Sequence, residues 1–288
     1  MDHTTFLHRP ALRRPVLVAA FEGWNDAGEA ASTALGFVAA TLDAETFAQI
    51  DPEEFYDFQQ TRPTVRLADG DSRVIEWPSV QFQAVRLPDA NRDLILVRGN
   101  EPNLRWRTFA REVLDVARGL DAEMLVTLGA LLADVPHTRP IQVVGSAGDP
   151  ALADKLGLAT SRYEGPTGIL GVLADVAHSA GVPAVSLWAA LPHYVQLTPN
   201  PRAALALVER LGALLSLSLE TSTLGEATET FDATVADVVA EDPELAGYVE
   251  RLEADHDQDA SSLENLPPDQ FVAEVERYLR DHPGGSRP

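Results

Sequence analysis

Five polar side chains follow the ends of predicted strands and are the first candidates for chemistry. They are Asn25, Asp26, Glu101, His137 and His193. Carboxylates and imidazoles act as general acids and bases and bind metal ions. No pair of them has a fixed ligand spacing such as His-x-x-x-His, so we predict neither a metal nor any other cofactor. The alternative interpretation is that Asn25 and Asp26 cap the helix that follows them.

A glycine-rich approach to a predicted helix, YEGPTGILG, is the second candidate. Gly165, Thr167 and Gly168 stand where unpaired backbone N–H groups can hold an anion. The spacing Gly-x-x-Gly-x-x-Gly matches neither the dinucleotide-binding fingerprint nor the phosphate-binding loop, whose Lys-Ser/Thr ending is absent. Such glycines also allow a tight turn and close packing of a helix on a sheet. The sequence leaves both interpretations open.

The composition excludes several kinds of site and partner. The 288 residues contain no cysteine, which excludes disulfides, thiolate zinc sites and cysteine nucleophiles. Lys155 is the one lysine, so a mechanism that needs a catalytic lysine has a single candidate. The net charge is −22, and the chain from Gly225 onward contains 17 acidic residues against 4 arginines. Such a charge repels nucleic acid and anionic membranes, and we predict neither as a partner.

The elements that must position these side chains follow from the hydrophobic pattern. No apolar run approaches the ~20 residues needed to span a bilayer, and we expect a cytoplasmic protein. Strands alternate with long amphipathic helices, which predicts an α/β sheet with helices on both faces. The predicted helices are Ala27–Leu42, Asn103–Arg118, Gly168–Ala180 and Pro201–Glu220. The predicted strands are Val16–Phe21, Thr46–Ile50, Thr64–Leu67, Arg73–Glu76, Val80–Leu87, Asp93–Arg98, Glu123–Leu128, Ile141–Ser146 and Ala184–Ala189.

This order of elements predicts that the five polar residues gather at one rim, because ligands in open α/β sheets bind outside the carboxyl ends of the strands. The hydrophobic pattern of the sequence changes after residue 224, from alternating strands and helices to amphipathic helices. We therefore predict a core domain over residues 1–224 and an acidic helical extension over 225–288. The predicted helices of the extension are Thr228–Ala240, Pro243–Asp255 and Asp269–Asp281.

Six segments, taken in order, resemble one known family. They are AFEGWNDAGEAA, LVRGNEPNLRWRTF, TLGALLADVPHTRP, YEGPTGILGVL, SLWAALPHYV and NPRAALAL. Together they look like the proteasome-assembly-chaperone-2 family in its actinobacterial branch. The resemblance implies a three-layer α/β/α sandwich of the phosphorylase/hydrolase-like kind, with a helical C-terminal extension and small homo-oligomers, a trimer in particular. Eukaryotic relatives help to assemble the α-ring of the 20S proteasome, and the resemblance carries over no catalytic residue.

One departure from that family bears on how a proteasome ring would be bound. Relatives that dock on the ring use a C-terminal tail ending hydrophobic-Tyr-any. The sequence here ends Pro283-Gly-Gly-Ser-Arg-Pro288. We therefore expect any binding to a proteasome subunit to use another surface.

Two functional hypotheses follow. The first is a non-enzymatic interaction protein of the assembly-chaperone kind, in which the segments around Trp24, Trp106 and Trp188 form an interface. The second is a hydrolase or phosphorylase acting on a small anionic or nucleoside-like molecule. In it Asp26 or Glu101 is the base and His193 the acid or oxyanion partner. This enzyme requires the carboxylates and histidines to converge on one pocket, with Arg98 or Arg139 as the cation for a phosphate.

Overall fold

A computed structural model describes residues 3–68, 72–161 and 163–263 of the chain. Its strands are β1 (Thr4–Phe6), β2 (Val16–Glu22), β3 (Glu45–Ile50), β4 (Thr64–Ala68), β5 (Ser72–Glu76), β6 (Val80–Val85), β7 (Leu94–Asn100), β8 (Met124–Ala133), β9 (Val143–Ala147), β10 (Ala159–Thr160) and β11 (Ala184–Pro192). Nine of these strands correspond to the nine predicted ones with shifted ends, and the short strands β1 and β10 were not predicted.

Nine of the eleven strands form one mixed sheet within the described residues, in the order β1-β3-β6-β7-β2-β8-β11-β9-β10. The central strands β7, β2, β8 and β11 run parallel, while β1, β3 and β6 on one side and β9 on the other pair antiparallel to their inner neighbours. The parallel centre brings the carboxyl ends of four strands to one edge, as the α/β pattern predicts.

The sheet separates two hydrophobic clusters, and β2 shows how the sequence builds both. Because side chains alternate between the two faces of a strand, Val16 and Val18 lie in one cluster while Leu17 and Ala19 lie in the other. All four are buried. A continuous apolar run therefore makes a central strand that is covered on both faces.

Helices cover the two faces of the sheet, and this confirms the predicted α/β fold and its layered arrangement. Helices α1 (Ala30–Thr41) and α5 (Pro201–Leu215) pack on one face, and α2 (Trp106–Gly119) and α4 (Ile169–Ser179) pack on the other. A short helix, α3 (Pro150–Leu156), was not predicted. Helix α5 begins where Pro199-Asn200-Pro201 predicts, because the Asn200 side chain accepts a hydrogen bond from the backbone N–H of Ala203.

The ends of the elements differ from the prediction where local backbone geometry intervenes. Helix α5 ends at Leu215 and not at Glu220, because Ser216 adopts a left-handed conformation with φ 56°. Helix α2 begins at Trp106, three residues later than predicted, after Arg105 at φ 54°. No described helix combines the length and the apolar character that a membrane crossing requires.

Strands β4 and β5 lie outside the large sheet. They pair antiparallel with each other as a separate two-stranded sheet, with Thr64 opposite Glu76 and Ala68 opposite Ser72. Every residue of both strands is exposed. We call this pair of strands the β4–β5 hairpin; residues 69–71, which join the two strands, lie outside the described residues, and no side chain of either strand belongs to the two hydrophobic clusters.

Two long helices follow the sheet, and both pack on the same chain. Helix α6 (Ser222–Glu241) lies against α5 and buries Leu224 and Val235, and α7 (Pro243–Leu263) buries Val249 and Leu252. Helix α6 begins three residues before the predicted domain boundary at 225, and the boundary itself stays a prediction. The predicted helix Asp269–Asp281 lies outside the described residues.

Candidate functional site at the strand ends

The Glu101 carboxylate connects three loops at the carboxyl end of the sheet. Its Oε1 atom accepts hydrogen bonds from Asn25 Nδ2 and from the backbone N–H of Ile169, each at 2.8 Å. Its Oε2 atom accepts a third from the backbone N–H of Trp24 at 3.3 Å. Burial raises the pKa of Glu101, and these three hydrogen bonds act in the opposite direction. The carboxylate therefore ties β2, β7 and α4 together.

Glu101 also occupies the position predicted for an external anion. The Ile169 N–H is the first backbone donor of α4, whose positive dipole end favours a negative charge. Gly168 packs directly on the Asn25 side chain, since a methyl carbon added there would lie 2.3 Å from Asn25 Nδ2. Gly165 and Thr167 are exposed in the loop before it, where the Tyr163 hydroxyl donates to the Pro166 carbonyl. Gly168 thus packs closely on Asn25, while anion binding by Gly165, Thr167 and Gly168 stays a prediction.

Asp26 caps α1, as the alternative interpretation proposed. Its Oδ1 atom accepts from the backbone N–H of Ala31 at 2.7 Å and from that of Ser32 at 3.3 Å. Its Oδ2 atom is buried and has no hydrogen-bond partner among the described residues. Burial is the largest cause that raises the pKa of Asp26 to about 6, against the lowering effect of the hydrogen bonds. Asn25 does not cap the helix, because its side chain bonds Glu101.

The two histidines belong to a different cluster. His137 donates its backbone N–H to the Tyr194 hydroxyl at 2.7 Å, and its Nδ1 lies 2.9 Å from the same oxygen. His193 Nδ1 lies 3.1 Å from Asp134 Oδ1, which also accepts from the Tyr248 hydroxyl at 3.2 Å. Burial, followed by the charge of Arg202, lowers the pKa of His137. Since Tyr248 is on α7, this cluster joins the strand ends to the helical extension.

Arg139 completes the docking of α7 and is not available as a phosphate anchor. Its guanidinium contacts Asp257 Oδ2 at 2.7 Å and Glu253 Oε1 at 3.2 Å. Arg202 on α5 contacts Asp232 of α6 in the same way and donates to the Arg139 carbonyl. The second predicted cation, Arg98, lies against α1 at Gly36. The acidic extension thus pairs with one of the two arginines that the enzyme hypothesis names.

The predicted rim is therefore divided in two. Asn25, Asp26 and Glu101 come together, while His137 and His193 lie elsewhere; across the described ranges no hydrogen bond or ion pair connects the two groups. Strand register gives the reason. Ala19 of β2 lies opposite Thr127 of β8, so β8 continues three residues past the end of β2, roughly 10 Å at the usual rise of a strand.

Comparison with known proteins places the chain in a family. The model of the PAC2 family matches residues 20–239. The chain belongs to the PAC2 family. The predicted resemblance is confirmed by two solved structures. A PAC2 family protein from Streptomyces avermitilis is 50% identical, with TM-score 0.77, over 82% of this chain and 99% of the other. The Mycobacterium tuberculosis proteasome-assembly chaperone homologue is 47% identical, with TM-score 0.74, over 81% of this chain and 99% of the other.

A more distant structure shares the fold alone. The archaeal proteasome activator PbaB from Pyrococcus furiosus has a TM-score of 0.66 and 20% identity, over 83% of this chain and 99% of the other. A search of curated proteins finds no match.

This PAC2 chain also has a cavity that the sequence did not predict. It measures about 660 Å³ and lies beside α4, against β9, β11 and the loop that leads into α4. We call it the α4 groove, and its lining includes Trp24, Tyr163, Trp188, Asp149, Asp175 and His178. Trp24 and Trp188, which stand near the ends of predicted strands, are the sequence feature that pointed to this region. Nothing in the spacing indicated that β9, followed by β10, would pair next to β11 at this end of the sheet.

We also looked for a cluster of metal-ligating side chains among the described residues. No group of three or more His, Asp or Glu side chains within the described ranges is placed to hold a metal ion. Among the residues missed by sequence reasoning, Tyr194, Tyr248 and Asp134 contribute most of the contacts at the histidines. Tyr194 follows His193 directly, but its partner on α7 is 54 residues further along the chain.

Proposed function

We propose that this PAC2 protein is a non-enzymatic interaction protein of the assembly-chaperone kind that binds a proteasome component. Family membership supports the proposal, together with 47% identity to a protein named as a proteasome-assembly chaperone homologue. The function is thus assigned to surfaces and not to a pocket with catalytic groups.

The observation that carries the proposal is that the Glu101 carboxylate is hydrogen-bonded within the protein. All three of its hydrogen bonds go to the protein's own loops and to the start of α4. A general base must instead reach a substrate proton at hydrogen-bond distance. The group at the centre of the strand ends therefore stabilises the fold.

The hydrolase or phosphorylase alternative lacks the convergence that it requires. His193 pairs with Asp134, and Arg139 pairs with the acidic residues of α7. Asp26 uses one oxygen to cap α1. No described observation favours this second function over the first.

Self-association and a cytoplasmic location are further parts of the proposal. A homotrimer is the oligomer that the family resemblance implies. The exposed hairpin β4–β5 supports self-association, because a chain with apolar side chains on a projecting arm gains by covering them.

The decisive experiment measures binding to 20S proteasome subunits. The purified full chain is immobilised and presented separately with α subunits, β subunits and assembled 20S particles. We expect micromolar or tighter binding to an α subunit and faster assembly of α-rings when the chain is present. An unrelated protein of similar net charge is the control, because a charge of −22 can attract basic surfaces without specificity. Absence of binding to every 20S component would overturn the proposal.

A separate assay addresses the enzyme alternative. The wild-type chain and Glu101→Gln are incubated with phosphorylated nucleosides and with simple esters. We expect no turnover by either protein. Turnover by the wild type that disappears in the variant, with folding preserved, would favour the enzyme.

A further inference from the structure

The hairpin β4–β5 presents large apolar side chains to solvent. Leu67 is 70% exposed, Val65 is 58% exposed and Ile75 is 52% exposed. Among the residues that the structure describes, each strand pairs only with the other, in a sheet of its own. An isolated two-stranded hairpin is marginally stable in water, and three or more strands or a packing partner are usually needed. The hairpin thus has the properties of an element that another surface completes.

Three of the large apolar side chains, those of Val65, Leu67 and Ile75, lie on one face of this hairpin. Val65 is directly opposite Ile75, and Leu67 is directly opposite Arg73, so the four side chains point to the same side. The other face carries Arg66 and Glu76, which form an ion pair. One face therefore carries three apolar residues with one arginine, whereas the other combines the ion pair with Val74, which lies opposite Arg66 and is 46% exposed.

The α4 groove has the complementary character. Trp24, Tyr163 and Trp188 provide aromatic surface, and these residue types are enriched among the anchors of protein interfaces. Asp149 and Asp175 line the groove and are exposed, so its border is acidic. A volume of about 660 Å³ is within the range that accommodates a drug-sized molecule or several side chains.

The hairpin and the groove lie at opposite ends of the sheet. The hairpin stands between β3 and β6, next to the edge formed by β1, whereas the groove lies by β11, β9 and β10 at the other edge. A hairpin therefore reaches such a groove on a second molecule. A contact between two different surfaces of identical chains is heterologous, and it closes into a ring or continues as a filament.

We propose that the apolar face of β4–β5 binds in the α4 groove of a second copy of this chain. Val65, Leu67 and Ile75 contact the aromatic lining, and Arg73 pairs with Asp175 or Asp149. This inference rests on the proposed self-association and specifies its surfaces, and a closed ring of three satisfies every hairpin and every groove. It does not depend on binding to a proteasome.

The first test uses two variants with one damaged surface each. Leu67→Asp places a charge on the exposed hairpin face, and Ala174→Arg places a long side chain in the groove from α4. The full-length proteins are measured by size-exclusion chromatography with light scattering. We expect a trimer for the wild type, monomers for each variant alone, and a 1:1 dimer when the two are mixed, because one intact hairpin then meets one intact groove. Ala68→Asp, on the opposite hairpin face and across from Ser72, is the matched control and retains the trimer.

Several outcomes would overturn the inference. These are a monomeric wild type, an unchanged oligomer in either variant, or a mixture that stays monomeric while circular dichroism shows both variants folded. A groove variant that still forms dimers through its hairpin would show hairpin-to-hairpin pairing across a twofold axis instead. The monomeric variants also separate this inference from the proposed function. If they bind a proteasome subunit as the wild type does, the proposed function stands whatever the outcome for the hairpin-to-groove contact.

A second test remains informative if a variant fails to fold. The chain contains no cysteine, so Val65→Cys and Asp175→Cys each introduce a single thiol. A mild oxidant converts two thiols to a disulfide and is itself reduced. We expect covalent dimers when the two variants are mixed and none from either variant alone. Crosslinking of the Val65→Cys protein with itself, or no crosslinking in the mixture, would contradict the hairpin-to-groove contact.

Discussion

Asn25 and Glu101 face each other across the carboxyl ends of β2 and β7, with Asn25 Nδ2 2.8 Å from Glu101 Oε1. Asn25 is buried, and the Glu101 oxygen that it contacts also accepts from the start of α4. A pair of residues with the types and position of catalytic groups is thus used to join three segments of the chain. This gives the loops at the strand ends a fixed conformation.

Removing the Glu101 carboxylate is expected to destabilise the protein. Glu101→Ala leaves the buried donors of Asn25 and Ile169 without an acceptor, at a cost of roughly 2–4 kcal/mol in the free energy of unfolding. Urea denaturation measures the effect. Glu22→Ala is the control, because Glu22 is exposed and accepts only from Asn100, so we expect a change of about 0.5 kcal/mol or less. Equal effects of the two substitutions would contradict the joining role of Glu101.

The buried carboxyl of Asp26 is expected to make stability depend on pH. Its pKa is about 6 in the folded protein against an ordinary value of 3.8, so the folded state holds this proton at pH values where the unfolded state has lost it. The contribution of Asp26 to stability is therefore highest below about pH 4 and falls as the pH rises to about 6. A difference of about 2 pKa units corresponds to roughly 3 kcal/mol.

Asp26→Asn tests this dependence. Asparagine keeps an oxygen for the Ala31 N–H but does not ionise, so its stability relative to the wild type should rise between pH 4 and pH 7. Urea denaturation at both pH values measures the change in that difference. Asp89→Asn, at an exposed loop position, is the control for the change of residue type. A pH-independent difference for Asp26→Asn would exclude a neutral buried carboxyl.

Gly168 is expected to tolerate no side chain. A methyl carbon there would lie 2.3 Å from Asn25 Nδ2, and either α4 or Asn25 must move. We expect Gly168→Ala to lower the free energy of unfolding by about 1–3 kcal/mol. Gly148→Ala is the matched control, because a methyl carbon at Gly148 meets no atom within 4 Å. Thermal unfolding followed by circular dichroism compares the two, and similar midpoints would refute the close contact.

Helix α7 is expected to separate from the core when its apolar contacts are removed. Val249 and Leu252 are buried, and replacing both with aspartate adds two charges beside a helix that is already acidic. Hydrogen exchange should then show lost protection over Pro243–Asp257, while the central strands stay protected. Val238→Asp on α6 is the control, since Val238 is half exposed. Simultaneous loss of protection in the strands would show that α7 belongs to the cooperative core.

The sequence predicts the centre of the fold well because the central strands are continuous apolar runs. Strands β2 and β7 are buried along most of their length, and no helix-period pattern competes there. The short edge strands β1 and β10, of three and two residues, carry too little pattern to detect. Their pairing depends on neighbours far along the chain, such as Ile50 opposite Thr4.

The strand-end site was predictable in its position but not in its contacts. Hydrophobic patterns locate the carboxyl ends of strands, which is where Asn25 and Glu101 form a hydrogen bond and where Asp26 lies. The same patterns ended β8 at Leu128, whereas β8 continues to Ala133 and carries His137 away from the carboxylates. The return of α7 to Arg139 depends on an ion pair between residues 118 positions apart, which no local pattern encodes.

The separate hairpin sheet has a consequence for how relatives of this protein can diverge. None of the side chains of β4 and β5 belongs to either hydrophobic cluster, so their replacement leaves both cores intact. Mutation can alter the arm from lineage to lineage at little cost in folding. Under the proposed hairpin-to-groove contact, paralogues within one cell would in this way acquire mutually exclusive assembly preferences on a common scaffold.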